Sequence, residues 1–112
     1  MARVRLLLCI VLTTLSPSSA LAGYDANITG VVTEVLVYSD SNIVLFRLNN
    51  QPSSHPGCSS AQYFELFNVP EPMFGRLYAR LLAAKVSGEA INIGYDSVGS
   101  NCRHYIPAHR IG

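Results

Sequence analysis

Only one stretch of this chain spaces its apolar residues as a helix does. In VPEPMFGRLYARLLAAKVSGE, Phe74, Leu77, Tyr78 and Leu81 fall at i, i+3, i+4 and i+7, with Ala84 and Lys85 continuing the row. Pro72 suits the first helical position, and Gly88 suits the left-handed residue after the last turn. The segments on either side read as strands. ITGVVTEVLVYSD is rich in β-branched residues, with Val31, Thr33, Val35 and Val37 on one face and Val32, Glu34, Leu36 and Tyr38 on the other. SDSN signals a tight turn, and IVLFRLN completes a hairpin. QYFELFN alternates as a third strand, Tyr63, Glu65 and Phe67 against Phe64 and Leu66. After the helix come AINIGYD, a turn at SVGSN, and RHYIPAHRI, whose Pro107 marks a bulge or an edge. NQPSSHPGCSS, with its prolines, glycine and serines, is a surface loop.

The order is thus β-β-β-α-β-β, a mainly β chain. It matches an OB-fold-like five-stranded barrel with one helix between the third and fourth strands; a two-layer α+β sandwich has the same order. In the barrel the third and fifth strands are parallel neighbours. Cys58 and Cys102 would then stand at the same end of adjacent strands, within reach of a disulfide.

The N-terminus bears on the redox question. Arg3 and Arg5 precede an apolar run from Leu6 to Leu15, then Pro17, small residues, and Ala20 and Ala22 at the −3 and −1 positions of a cleavage site. The run falls short of the roughly 20 residues that span a bilayer. Residues 1–22 are therefore expected to be a secretory signal cleaved after Ala22, leaving 23–112 as a single secreted or periplasmic domain with no membrane span. Cys9 departs with the signal, and the remaining pair in an exported chain reads as a structural bridge. Closing a loop across 44 positions stabilises the fold by about 4 kcal/mol in the chain-entropy model. His55 and His104 flank the two cysteines, so a two-Cys, two-His zinc site is the competing reading of this cluster. The bridge is the simpler one, and no metal or other cofactor is expected.

Without Arg3 and Arg5 the chain has 6 Lys+Arg against 7 acids, a net charge of −1. It lacks the basic excess of a nucleic-acid binder. The sequence contains no GxSxG, HExxH, phosphate loop or dinucleotide fingerprint, so an enzyme is not expected. Asn27-Ile28-Thr29 matches a glycosylation acceptor, relevant only in a host with that pathway.

The stretch LLAAKVSGEAINIGYDSVGSNCRHYIPAHRI is similar to the C-terminal half of small exported gammaproteobacterial proteins. The layout also resembles the B subunits of subtilase-cytotoxin and pertussis-like toxins. That resemblance implies an OB-fold with one helix, glycan binding and assembly as a pentameric homo-oligomer. It supplies no residue-by-residue match to a sugar site.

OB barrels present ligands to strands two and three and to the loops joining strands one to two and four to five. Those loops hold Tyr38, Asp40 and Asn42 in one, and Tyr95, Asp96 and Asn101 in the other. Aromatic faces with Asp and Asn suit sugar hydroxyls, while the same residue types are also ordinary turn formers. Tyr63, Phe67 and Tyr105 read either as a stacking platform or as packing, and Arg76 and Arg80 either as a basic face for an acidic partner or, more simply, as solvated helix surface. Glu34 and Glu65 sit on strands among apolar neighbours without an evident acid–base pairing, and His104 and His109 read as structural. Two functions follow from different classes. One is a non-enzymatic binding module for a glycan or cell-surface partner. The other is a structural or accessory envelope protein, such as an inhibitor with a protein partner.

Overall fold

The computed structural model describes residues 24–98 and 102–112. The expected signal segment, 1–22, and Asn101 lie outside them. The elements are β1 (Ala26–Val37), β2 (Ile43–Leu48), β3 (Phe64–Phe67), α1 (Met73–Ser87), β4 (Ala90–Tyr95) and β5 (Ile106–Ile111). The strands close into a barrel in the order β1-β2-β3-β5-β4, with β4 returning to β1. Every neighbouring pair is antiparallel except β3 and β5, which are parallel. This is the OB-fold order, and ring closure rules out the open two-layer sandwich.

The expected simple alternation along β1 does not hold. Val32 opposes Leu48 and Glu34 opposes Arg47, so Thr33 is an extra residue on β1. Before it the inward positions are Ile28, Gly30 and Val32; after it the residue packed on the core is Val35. Because side chains alternate with period two, one inserted residue transfers the inward set to the other parity. The bulge lets one long strand bend and pair with β4 along its first half and with β2 along its second. β5 uses the same device. Gly94 and Tyr95 of β4 oppose Arg110 and Ala108, which leaves His109 as the bulged residue. The buried series Ile106, Ala108 accordingly resumes at Ile111. The irregularity expected at Pro107 thus falls two residues later, and β5 starts at Ile106 rather than Arg103.

The barrel interior is filled by Phe46, Phe64, Leu48, Leu66, Ile91, Ile93 and Ile106, with Phe46 and Phe64 stacked at 5.5 Å between ring centroids. α1 packs mainly on β1 and β5. Leu81 and Ala84 are its buried positions, Phe74, Leu77 and Tyr78 are partly buried against the core, and Lys85 turns out to solvent. Glu71 accepts a hydrogen bond from the Gly75 N–H near the start of the helix, at 3.3 Å. Gly88 ends it at φ 72°, donating to the Ala84 carbonyl at 2.9 Å, the left-handed cap that glycine adopts without a Cβ clash. At Gly30 the reason for glycine is close approach. Asn49 accepts from the Val31 N–H at 3.0 Å and Asn50 donates to the Thr29 carbonyl at 2.8 Å, so a Cβ at position 30 would collide with the Asn50 carboxamide. No helix among the described residues is long and apolar enough to cross a membrane.

Candidate functional site

Cys58 and Cys102 form a disulfide, with their Cα atoms 5.2 Å apart. His55 lies against it: one donor atom from each of the three residues falls within 4.8 Å of the others. These donors are engaged inside the protein. The two sulfurs are bonded to each other, Nδ1 of His55 accepts from the Gly57 N–H at 3.0 Å, and Nε2 therefore carries the proton and donates to the Asp96 carbonyl. The loop before β3 is also joined to the segment before β5 by Ser60 N–H to His104 carbonyl, 3.0 Å, and Ile106 N–H to Tyr63 carbonyl, 3.2 Å. The whole assembly fixes the β4–β5 loop against the β2–β3 loop. Asp25 adds a further anchor, its carboxylate accepting from the Ser97 N–H at 2.8 Å and the Ser97 hydroxyl at 3.0 Å. Those bonds hold its pKa below the usual carboxylate value.

This staple borders the outer face of β1, β2, β3 and β5, where side chains line up in rows across the ladders. One row is Leu36, Leu45, Glu65 and Pro107. Tyr63 donates to the Glu34 carboxylate at 3.2 Å and meets Tyr105 edge-on at 5.5 Å, and His104 meets Tyr105 edge-on at 4.5 Å. Burial and the neighbouring Glu34 push the Tyr63 phenol pKa up. Arg103 lays its guanidinium over the Phe67 ring, 3.7 Å from the centroid, a cation–π contact that also shields the middle of the face. Tyr63, Phe67 and Tyr105 remain half-buried, with part of each ring open.

Leu45 and, beside Arg103, Glu65 are each 3 % exposed although both point away from the barrel interior. Desolvation pushes the Glu65 pKa up, and the nearby Arg103 and His104 side chains only partly oppose it. The facing groups are Arg103 and His104 from the β4–β5 loop, His109 from β5, and the apolar Leu45 from β2. A carboxyl whose folded pKa is raised binds its proton more tightly when folded. Its contribution to stability is complete below the unfolded pKa and is lost as pH rises through the folded one. Glu65→Gln is therefore expected to raise the unfolding midpoint by a few degrees at neutral pH, the gap closing as pH falls toward the unfolded glutamate pKa of about 4.3. Calorimetry of both proteins across that range checks it, and a gap that widens on acidification would count against it.

The loop residues singled out by sequence do not gather into one cluster. Tyr38 and Asn42 line a cleft of about 580 Å3 with Asn68, Glu71 and Phe74, while Asp40 stands exposed on the turn above. The turn lies at the end of β3 where the Asn68 N–H donates to the Asn42 carbonyl at 3.1 Å. Tyr95 and Asp96 belong to the opposite end. Tyr95 packs edge-on against core Phe64 at 5.3 Å, and Asp96 accepts from His55 through its carbonyl and from the Val98 N–H through its carboxylate at 3.2 Å. Sequence reasoning missed the screening role of Arg103 and the burial of Glu65. A signal was present in IVLFRL, where Ile43 and Leu45 are apolar on the outward parity while Val44, Phe46 and Leu48 fill the inward one. A strand apolar on both faces has both faces covered.

No protein-family model, curated protein or solved structure matches this chain.

Proposed function

We propose that this chain is an exported, non-enzymatic binding module that recognises a glycan through the outer face of β2, β3 and β5. The observation that carries the reading is the half-open aromatic set Tyr63, Phe67 and Tyr105, held among the polar groups Glu34, Glu65, Arg103 and His104. Rings fixed by edge-on contacts offer apolar area at little further entropic cost, and the surrounding carboxylates and guanidinium exchange hydrogen bonds with hydroxyls. The face is also the one on which OB barrels carry oligosaccharides and oligonucleotides, and a net charge of −1 after signal removal speaks for the former. A similar layout in toxin B subunits supports the same ligand class and a homo-oligomer.

The test is a broad glycan array with the purified protein, accompanied by its mass in solution from light scattering. At least one glycan class is expected to bind. Tyr105→Ala should weaken that binding by about five- to tenfold, the equivalent of losing roughly 1 kcal/mol of ring contact. An array without signal from a folded sample, or binding indifferent to Tyr105, would sink the reading.

A further inference from the structure

Glu65 is a largely buried carboxyl residue to which no described residue donates a hydrogen bond. It is 3 % exposed and held across the ladders between Leu45 and Pro107. Among the described residues no hydrogen-bond donor reaches its carboxylate, and the nearby Arg103 and His104 side chains act on it without forming an ion pair. An unpaired buried carboxylate is costly, and an apolar residue such as Leu45 beside it would pack at no such cost. No polar side-chain atom among the described residues is both sealed from solvent and without a partner. The Glu65 oxygens therefore retain contact with solvent, and the opening available to them is a slot of about 190 Å3 bounded by Phe67, Val69, Arg103, Pro107 and His109.

The chemistry of the slot selects what enters it. A cation would be drawn to Glu65 but repelled by Arg103; an anion would meet the reverse. A neutral polyol suits both, because a hydroxyl donates to a carboxylate and accepts from a guanidinium at once. The volume is below the roughly 300–1,000 Å3 of sites for drug-sized ligands, which fits the hydroxyl edge of one sugar ring rather than a peptide or a nucleotide. The open parts of Tyr63 and Tyr105, each one residue before β3 and β5, adjoin the same face, where the rest of a glycan would run.

We propose that Glu65 is a ligand-binding residue whose carboxylate accepts hydrogen bonds from two adjacent hydroxyls of a sugar ring seated in this slot, with Arg103 donating to the same pair. This rests on the binding-module reading of the outer face and names its anchoring group.

The experiment is an NMR titration of isotope-labelled protein with D-galactose, D-mannose and D-glucose in turn, and separately with methylammonium and guanidinium chloride. With at least one sugar, the Glu65 side-chain carboxyl carbon and the Phe67 and Ala108 amides are expected to shift. Glu65→Gln should reduce that affinity tenfold or more while the variant stays folded and becomes more heat-resistant, a combination that a purely structural residue would not show. Shifts confined to the Tyr38 cleft, equal sugar affinity in Glu65→Gln, or Glu65 responding to the cations and to none of the sugars would each overturn the proposal. Glycan binding that depends on Tyr105 but not on Glu65 would remove the Glu65 assignment and leave the module reading standing. A blank array together with silent sugar titrations would remove both.

Discussion

Cys58→Ser lowers the unfolding midpoint by roughly 10–25 °C. The Cys58–Cys102 bridge spans 44 positions, and restricting the unfolded chain over such a loop contributes about 4 kcal/mol in the entropy model. For a domain of this size each kcal/mol moves the midpoint by roughly 4–8 °C, and strain or residual structure in the unfolded chain reduces the full figure. The loss also has a local side. The bridge and His55 together hold the β2–β3 loop to the β4–β5 loop, and the segment after Cys102 carries Arg103 onto Phe67 and over the Glu65 slot. Cys58→Ser is therefore expected to loosen the outer face as well as the whole domain. Calorimetry with a thiol titration on the same samples checks both points: the parent protein should show neither Cys58 nor Cys102 as a free thiol. Equal midpoints and two reactive thiols in the native parent would overturn the prediction.

Phe64→Ala costs about 3–5 kcal/mol, the range for removing a fully buried aromatic ring. Phe64 is 0 % exposed and central to the barrel, stacked on Phe46 at 5.5 Å and edge-on to Tyr95 at 5.3 Å. Its neighbours come from a closed ring of strands, which cannot collapse inward to refill the space without breaking ladders. Tyr105→Ala, one residue before β5 and half-buried on the outer face, should cost far less. Denaturant unfolding of the two variants at equal concentration checks the contrast. A Phe64→Ala loss under about 1 kcal/mol would mean that the barrel interior is not organised around this ring.

The element order was legible because each strand and the helix carry their own periodicity. Leu81 and Ala84 on one helical stripe, and Phe64 and Leu66 on one strand parity, are local patterns that tertiary contacts then reinforced. The parallel pairing of β3 with β5 was legible from order and cysteine placement taken together. The two bulges were not. Thr33 and His109 are ordinary residues in ordinary strands, and an extra residue is defined only by a partner strand that lacks one. The site was less legible still. Tyr38, just after β1, and Tyr95, the last residue of β4, begin stretches of similar composition, yet register sends them to opposite ends of β3, one lining a cleft and the other packed on the core.

The sequence by itself determined the class of fold, the disulfide and the identity of the single helix. These follow from residue spacing and cysteine count, quantities contained within segments or in simple arithmetic over the chain. The tertiary structure alone decided the environment of Glu65. In isolation it is a charged residue alternating with Phe64 and Leu66, outward and ready for water. Closure of the barrel sets Leu45 and Pro107 on either side of it, and the stapled β4–β5 loop brings Arg103 beside it. Desolvation arises from how many neighbours converge on a point in space, and the residues that converge here come from two segments, around Leu45 and from Arg103 to Pro107, each distant from Glu65 in the chain.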